Sequence, residues 1–383
     1  MSDKIMYKPM NTGRKTGKEP DYGLSGLLKE NKPDWEALRG ADWFQRLYDC
    51  PQEPDYHAEG NVGIHTEMVV EALLGLPEYR DVDTTAQRVL LAAALLHDVA
   101  KPACTVEEDG RISSPRHAAV GEKMARELLW DLEFESREQI CSLVRLHGLP
   151  LWALEKPNPW SAVIGAGLRT SNHLVYLLAK ADVLGRICAD KASLLERVEY
   201  FKEFCLENQC FENAYPFVNA HSKFRYFFTG LQYPSELYDD TAFQILLMSG
   251  IPGSGKDTFL KNNALPVVSL DDLRRELGVE HGDSKGQGHV VQAAYGQAKK
   301  YSAARQSFVW NSTNLTTDLR SKLIQTLSVY NPHFKIAYVE TSLHNIFSRR
   351  KADIPAAHLE RMIRLLDLPL PTEAHEVSYY RNN

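Results

Sequence analysis

The chain has 383 residues, more than one average hydrophobic core holds, so two domains are expected. Hydrophobic residues make up 44% and charged residues 25%, which is ordinary for a soluble globular protein and gives no sign of disorder. Net charge is -6 and uneven: residues 241–383 carry 17 Lys+Arg against 13 Asp+Glu, and the first 240 carry 27 against 37. The +4 half suits a polyanionic ligand, and the -10 half can act on phosphates where bound cations set the local field. No stretch approaches the roughly 20 apolar residues of a bilayer span and the N-terminus has no signal core, so no membrane segment and a cytoplasmic location are expected. Cys50, Cys104, Cys141, Cys188, Cys205 and Cys210 show no CxxC spacing and read as free thiols.

Residues 1–35 are polar, Gly-rich and Lys-rich and read as a flexible or irregular arm. Residues 36–210 read as an almost wholly helical domain. TTAQRVLLAAALLHDVAKP is an apolar helix stopped by a proline, followed by the helical periods AAVGEKMARELLWDLEF, SREQICSLVRLH and HLVYLLAKADVLGRI. Residues 211–240 are aromatic and irregular and read as a connector. From 241 to 383 strands alternate with helices: AFQILLMS, a Gly-rich turn and helix, PVVSL, a helix from Asp272, one near 289–303, FVWN, one near 317–329, FKIAYVE and further helices. That alternation predicts an α/β domain with a parallel sheet.

The helical half carries His65, the adjacent pair His97-Asp98, His117, His147 and Asp182. Imidazoles mixed with carboxylates suit Zn, Mn, Fe, Co or Ni, and a carboxylate can bridge two ions. One metal is expected to take His65, His97, Asp98 and Asp182, with Asp98 also reaching a second held by His117 and His147. Two cations sharing a water would generate hydroxide near neutral pH and polarise a phosphoryl group. His57, His173 and His221 read as structural. Arg116, Arg145 and Arg186 lie close to the expected ligands, each open to two readings, phosphate clamp or surface charge.

The α/β half carries Gly250-Ile-Pro-Gly253-Ser254-Gly255-Lys256-Asp257-Thr258 after an apolar strand, the context that makes a P-loop credible. Its glycines let backbone amides turn toward phosphates, and Lys256 reaches the transferred group. Asp257 stands where a P-loop normally has Ser or Thr; we expect it to serve Mg, with Thr258 on a phosphate oxygen. Asp271 is the expected general base at a strand end, Asp272 the expected N-cap, and Arg274 a clamp for the acceptor's phosphate. Asn311 occupies the usual position of a metal-binding aspartate. Arg349 and Arg350 lie where a nucleotide lid would be.

The ordered set His65, His97-Asp98, His117, His147 and Asp182 resembles the HD-domain superfamily of metal phosphohydrolases, which implies that Lys101 in HDVAKP supports a substrate phosphate. GIPGSGK, SLDDLR, FVWNSTN and the Arg-bearing SRRKADIPAAHLERM resemble polynucleotide 5'-kinases of the end-healing type. That resemblance implies Asp271 as base, Arg274 on the acceptor phosphate and Arg349 as lid arginine. The fusion resembles the bacterial HD-domain polynucleotide kinases. It implies an HD half that removes 2',3'-cyclic, 2'- or 3'-phosphate ends, and a kinase half that uses Mg and ATP or another NTP on 5'-OH ends of RNA or DNA. It also implies a functional partnership with a nucleic-acid ligase. Two other readings stand beside it: a nucleotide phosphohydrolase fused to a small-molecule kinase, and a nucleotide sensor without turnover.

Overall fold

The computed structural model describes residues 27–29, 32–280, 282–350 and 354–382, the side chain of Arg350 excepted. The expected N-terminal arm lies mostly outside the described residues. Within its described part, Leu28 pairs with Pro33 in a short antiparallel ladder, and Leu27 and Leu28 join the helical core. The chain divides into two compact units, Met1–Pro216 and Phe217–Asn383. The 211–240 segment is therefore split, and its residues Ala220–Thr229 form a helix of the second unit.

The first unit is helical. Its ligand-bearing elements are α1 (Val62–Gly75), α2 (Thr84–Leu96), α3 (His117–Leu128), α4 (Phe134–Leu146) and α5 (Asn172–Leu184). Asn61, Asp83, Glu133 and Ser171 cap α1, α2, α4 and α5 by accepting from backbone N–H groups of the first turn. Every residue of α2 from Val89 to Leu96 is buried, so it is the central helix of the bundle. It ends at Leu96 instead of running on to the proline: Val99 N–H donates to Leu96 O at 3.0 Å and Lys101 N–H to Asp98 O at 2.9 Å. His97 keeps helical dihedrals as the C-cap (φ -55°, ψ -36°), and these tight i to i+3 turns replace the α-helical pattern beyond it. Pro102 instead opens the short helix Lys101–Cys104.

Two features depart from the wholly helical expectation or lie beneath it. Strands β1 (Val106–Glu108) and β2 (Arg111–Ser113) form a hairpin around Asp109-Gly110, both with positive φ (52° and 74°). At the end of α5, a Cβ on Gly185 would lie 2.7 Å from the backbone nitrogen of Val69 in α1. The two helices thus meet at a distance that admits no side chain there.

The second unit is the expected α/β domain. Strands β3 (Gln244–Ser249), β4 (Val267–Ser269), β5 (Phe308–Asn311), β6 (His333–Thr341) and β7 (Glu376–Asn382) form one parallel sheet in the order β4-β5-β3-β6-β7. Ile245 aligns with Phe308 on one side and Phe334 on the other, and all three are fully buried. Because β5 and β6 flank β3 on opposite sides, a ligand crevice opens beyond the carboxyl end of β3. Helices α6 (Lys256–Leu260), α7 (Leu270–Glu276), α8 (Ser284–Ala303), α9 (Thr317–Leu327), α10 (Leu343–Arg350) and α11 (Ala356–Leu365) make the connections.

Strand β7 was not among the expected elements. Ser269, not Asp272, caps α7, accepting from Asp272 N–H at 3.2 Å, so Asp271 and Asp272 lie in the first helical turn and not at a strand end. Ser269 wins because it is the last extended residue, where its hydroxyl can reach N–H groups that a residue inside the helix cannot. No helix among the described residues is long and apolar enough to cross a membrane.

Arg320 on α9 is fully buried, pairs with Glu373 at 2.6 Å, and donates to Asn314 O and Asp367 O at 2.9 Å. Removing one member of a buried pair leaves the other unpaired, at a cost of about 3 kcal/mol. Arg320→Ala is expected to lower the urea midpoint of the second unit accordingly, and an unchanged midpoint would contradict this account.

Candidate active sites

In the first unit, each expected metal ligand is delivered by a helix or its end. His65 sits within α1, His97 and Asp98 just beyond α2, His117 at the start of α3, His147 at the end of α4, and Asp182 on α5. The six side chains come together. His65 Nε2 lies 3.1 Å from Asp182 Oδ1, His97 Nε2 3.2 Å from Asp98 Oδ2, and His117 Nε2 3.4 Å from Asp98 Oδ1. Among the described residues, three groups of ligand atoms lie within mutual reach of one ion: His57, Glu59 and His65; His65, His97 and Asp182; and Asp98, His117 and His147, so Asp98 groups with the second expected set and not with the first.

The donor atoms fit cations. Nδ1 of His97, His117 and His147 bonds at 2.8 Å to Ala94 O, Ser114 O and Val144 O. A carbonyl only accepts, so Nδ1 carries the proton of the neutral ring and Nε2 presents a bare lone pair. The Nε2 atoms of His117 and His147 are only 3.3 Å apart, beside the Asp98 carboxylate. His97 Nε2 and Asp98 Oδ1 are buried without a hydrogen-bond partner. Converging lone pairs and orphaned atoms of this kind are what a divalent cation satisfies.

Burial favours a neutral Asp98 carboxyl, but the Lys101 ammonium holds it well below the usual carboxylate range. Burial likewise opposes ionisation of Asp182, and Arg186 overrides it. For His147, burial with His117 and His97 nearby pushes the imidazole down to about 3, so it stays neutral.

Lys101 Nζ lies 2.8 Å from Asp98 Oδ2 and donates to Gln52 Oε1 at 2.7 Å. Arg186 Nε donates to Asp182 Oδ1 at 3.1 Å. Both line a cavity of about 450 Å³ together with His117, so Arg186 is the member of its trio that reaches the cluster. Arg145 lies 3.8 Å from Glu122, and Arg116 is exposed in left-handed backbone (φ 62°) just before His117.

Glu59 is a participant that spacing did not reveal. Its Oε1 lies 2.9 Å from His65 Nδ1 and 2.7 Å from His57 Nδ1, and its Oε2 accepts from Ile187 N–H. His57, read as structural, is thus tied to the cluster through Glu59. A lone Glu six residues before a His carries no motif.

In the second unit, Gly250, Gly253 and Gly255 all have positive φ (145°, 87° and 104°). A Cβ at Gly250 would lie 2.3 Å from Val339 O, and one at Gly255 2.3 Å from Asn382 Nδ2. Only glycine allows this loop its path. Ser254 is buried beside it, with an unpartnered hydroxyl. Lys256 Nζ donates to Gly250 O at 2.8 Å, Arg349 Nη1 to Gly253 O at 3.1 Å, and Asn382 Nδ2 to Ser254 O at 3.0 Å.

A cavity of about 450 Å³ collects Lys256, Asp257, Thr258, Asp271, Asn311 and Arg349. Asp257 Oδ1 accepts from Asn311 Nδ2 at 3.1 Å, so the unusual carboxylate and the unusual amide are partners. Asp271 pairs with Arg274, which also donates to Gln287 Oε1 at 3.1 Å; Arg274 itself does not line the cavity. The side chain of Arg350 lies outside the described residues. This donor set fits a nucleotide phosphate chain and a magnesium ion. Asn382, on the strand missed in the sequence, completes the loop's support.

Residues 62–187 match the family described as the HD domain, and residues 245–369 match AAA_33, an AAA domain. The chain therefore joins an HD domain to a P-loop kinase-like domain. No curated relative matches it. Among solved structures, a protein of Chloroflexus aurantiacus J-10-fl described as a candidate kinase is 19% identical over 37% of this chain and 89% of its own (TM-score 0.32). A sugar kinase of Janibacter sp. HTCC2649 is 15% identical over 37% and 85% (TM-score 0.28).

His65→Ala and His147→Ala are each expected to reduce bound divalent metal from about two equivalents to about one. Elemental analysis after dialysis checks this, and full occupancy in both variants would contradict the ligand assignment. Asp257→Ala is expected to weaken nucleotide binding in magnesium by roughly 10-fold. Calorimetry should show little difference between variant and wild type in EDTA; equally tight wild-type binding with and without the metal would remove Asp257 from a metal role.

Proposed function

We propose that the chain is a bifunctional nucleic-acid end-healing enzyme. Its HD half would hydrolyse 2',3'-cyclic, 2'- or 3'-phosphate ends, and its P-loop half would transfer the γ-phosphate of an NTP to 5'-OH ends of RNA or DNA. The observation that carries the acceptor assignment is Asp271, which lines the phosphate cavity with its side chain 83% exposed and Arg274 at its flank. A base at an open rim can serve a hydroxyl at the end of a chain that continues into solvent.

In this reading Asp271 takes the proton of the attacking 5'-OH, and Arg274 holds the adjoining phosphate. Lys256 and Arg349 draw the γ-phosphoryl oxygens in, and Thr258 bonds a phosphate oxygen. Asp257, steadied by the Asn311 amide, would hold magnesium. In the HD half, two divalent transition metals held by His65, His97, Asp98, His117, His147 and Asp182 would supply an activated water and polarise the phosphoryl group. Lys101 and Arg186 orient the phosphate oxygens from the cavity wall. The products are the 5'-phosphate and 3'-OH that a ligase joins, in keeping with a ligase partner and a cytoplasmic setting.

The -10 charge of the first 240 residues favours a second reading, small nucleotides and a small-molecule acceptor in place of polymer ends. End-labelled oligonucleotides with a 5'-OH, or with a 2',3'-cyclic or 3'-phosphate, separate the two. With metal and NTP, end healing requires phosphate gained at the 5' end and lost at the 3' end. Consumption of mononucleotides or nucleosides alone would transfer the assignment to the second reading. His97→Ala is expected to abolish 3' loss and spare 5' gain, and Lys256→Ala to do the reverse. Asp271→Asn should lower the kinase kcat by about 100-fold or more with little change in KM for NTP.

A further inference from the structure

The cavity beside the histidine–aspartate cluster has a part that phosphate chemistry does not use. His117, Lys101 and Arg186 connect it to the cluster, whereas Tyr56 and Trp152 line it with aromatic surface. Tyr56 is 59% exposed and Trp152 48% exposed. Single exposed aromatics need no explanation. Two bordering one cavity, together with the groups that face a phosphate, do.

Trp152 is also held in place. The Arg197 guanidinium lies 4.8 Å from its ring centroid, and Arg197 Nη1 donates to Leu151 O at 3.1 Å and pairs with Glu155 at 2.5 Å. A cation stacked on one side leaves the half-exposed indole with the rest of its surface for a ligand. The surface is ordered before binding, which limits the entropy lost when a second ring stacks.

We propose that Trp152 and Tyr56 form a nucleobase subsite, stacking the base of the nucleotide whose phosphate reaches the metal cluster. The inference rests on the HD half being a phosphoesterase and names the part of the substrate that it grips. A volume of about 450 Å³ lies within the range of small-ligand sites and accommodates one terminal nucleotide. Stacking accepts every base, since each has a π face, so the subsite selects a nucleotide over a bare sugar phosphate and not one base over another.

The test uses the metal-loaded full chain and two substrate pairs. The first pair is an oligonucleotide ending in a 2',3'-cyclic phosphate and the same oligonucleotide with a terminal ribose that lacks its base. The second is a 2',3'-cyclic mononucleotide and ribose 2,3-cyclic phosphate. Wild type is expected to favour the base-bearing member by about 10-fold in kcat/KM, chiefly through KM. Trp152→Ala should reduce that preference most of the way to unity, Tyr56→Ala should reduce it in part, and Trp152→Phe should restore it.

Equal rates with and without the base overturn the subsite, as does a Trp152→Ala effect of the same size on both members. Turnover confined to the monomers overturns the polynucleotide reading while the base comparison still decides the subsite. Turnover of neither pair overturns both.

Discussion

A histidine can offer a metal only the ring nitrogen that its other nitrogen leaves free. Three of the four histidines meet this condition in the same way: His97, His117 and His147 each bond Nδ1 to the carbonyl three residues earlier. For His97 and His147 those carbonyls belong to the last turns of α2 and α4, where backbone oxygens lack helical partners. The helix ends thus supply the second layer of the site at no cost to the helix. His65 lies inside α1, where the carbonyls are engaged, and there the Glu59 carboxylate lies 2.9 Å from Nδ1. The packing of the bundle around buried α2 brings four Nε2 atoms within 4 Å of Asp98 or Asp182.

The second unit meets an analogous demand with backbone. If the amides of the glycine loop are to face a phosphate, its carbonyls must turn the other way and find donors. Lys256, Arg349 and Asn382 supply them, from α6, α10 and β7. The loop is therefore held by elements that stand up to 126 positions further along the chain than Lys256. Its shape is a property of the elements around it and not of the run from Gly250 to Thr258 alone.

Much of both sites was legible because chemistry constrains residue type at close spacing. The His97-Asp98 pair and the run from Gly250 to Thr258 are local signals, and the structure brings the six expected ligands and the loop residues together. What escaped was set by tertiary contact. Glu59 and Asn382 act across the fold and have no neighbour in sequence that marks them. The Asp109-Gly110 hairpin did carry a turn signal, but the helical periods on either side overshadowed it. Asp271 and Asp272 look alike in sequence. Only the hydroxyl of Ser269, two residues before Asp271, decides that neither begins the helix.

Gly185 carries no functional group, yet its missing side chain sets how near α5 comes to α1, and those helices bear Asp182 and His65. In evolutionary terms it acts as a ruler. Drift at a ligand removes a bond, but drift here would lengthen the span between two ligands that are themselves unchanged. A survey of tolerated substitutions should find it as intolerant as the histidine it never touches.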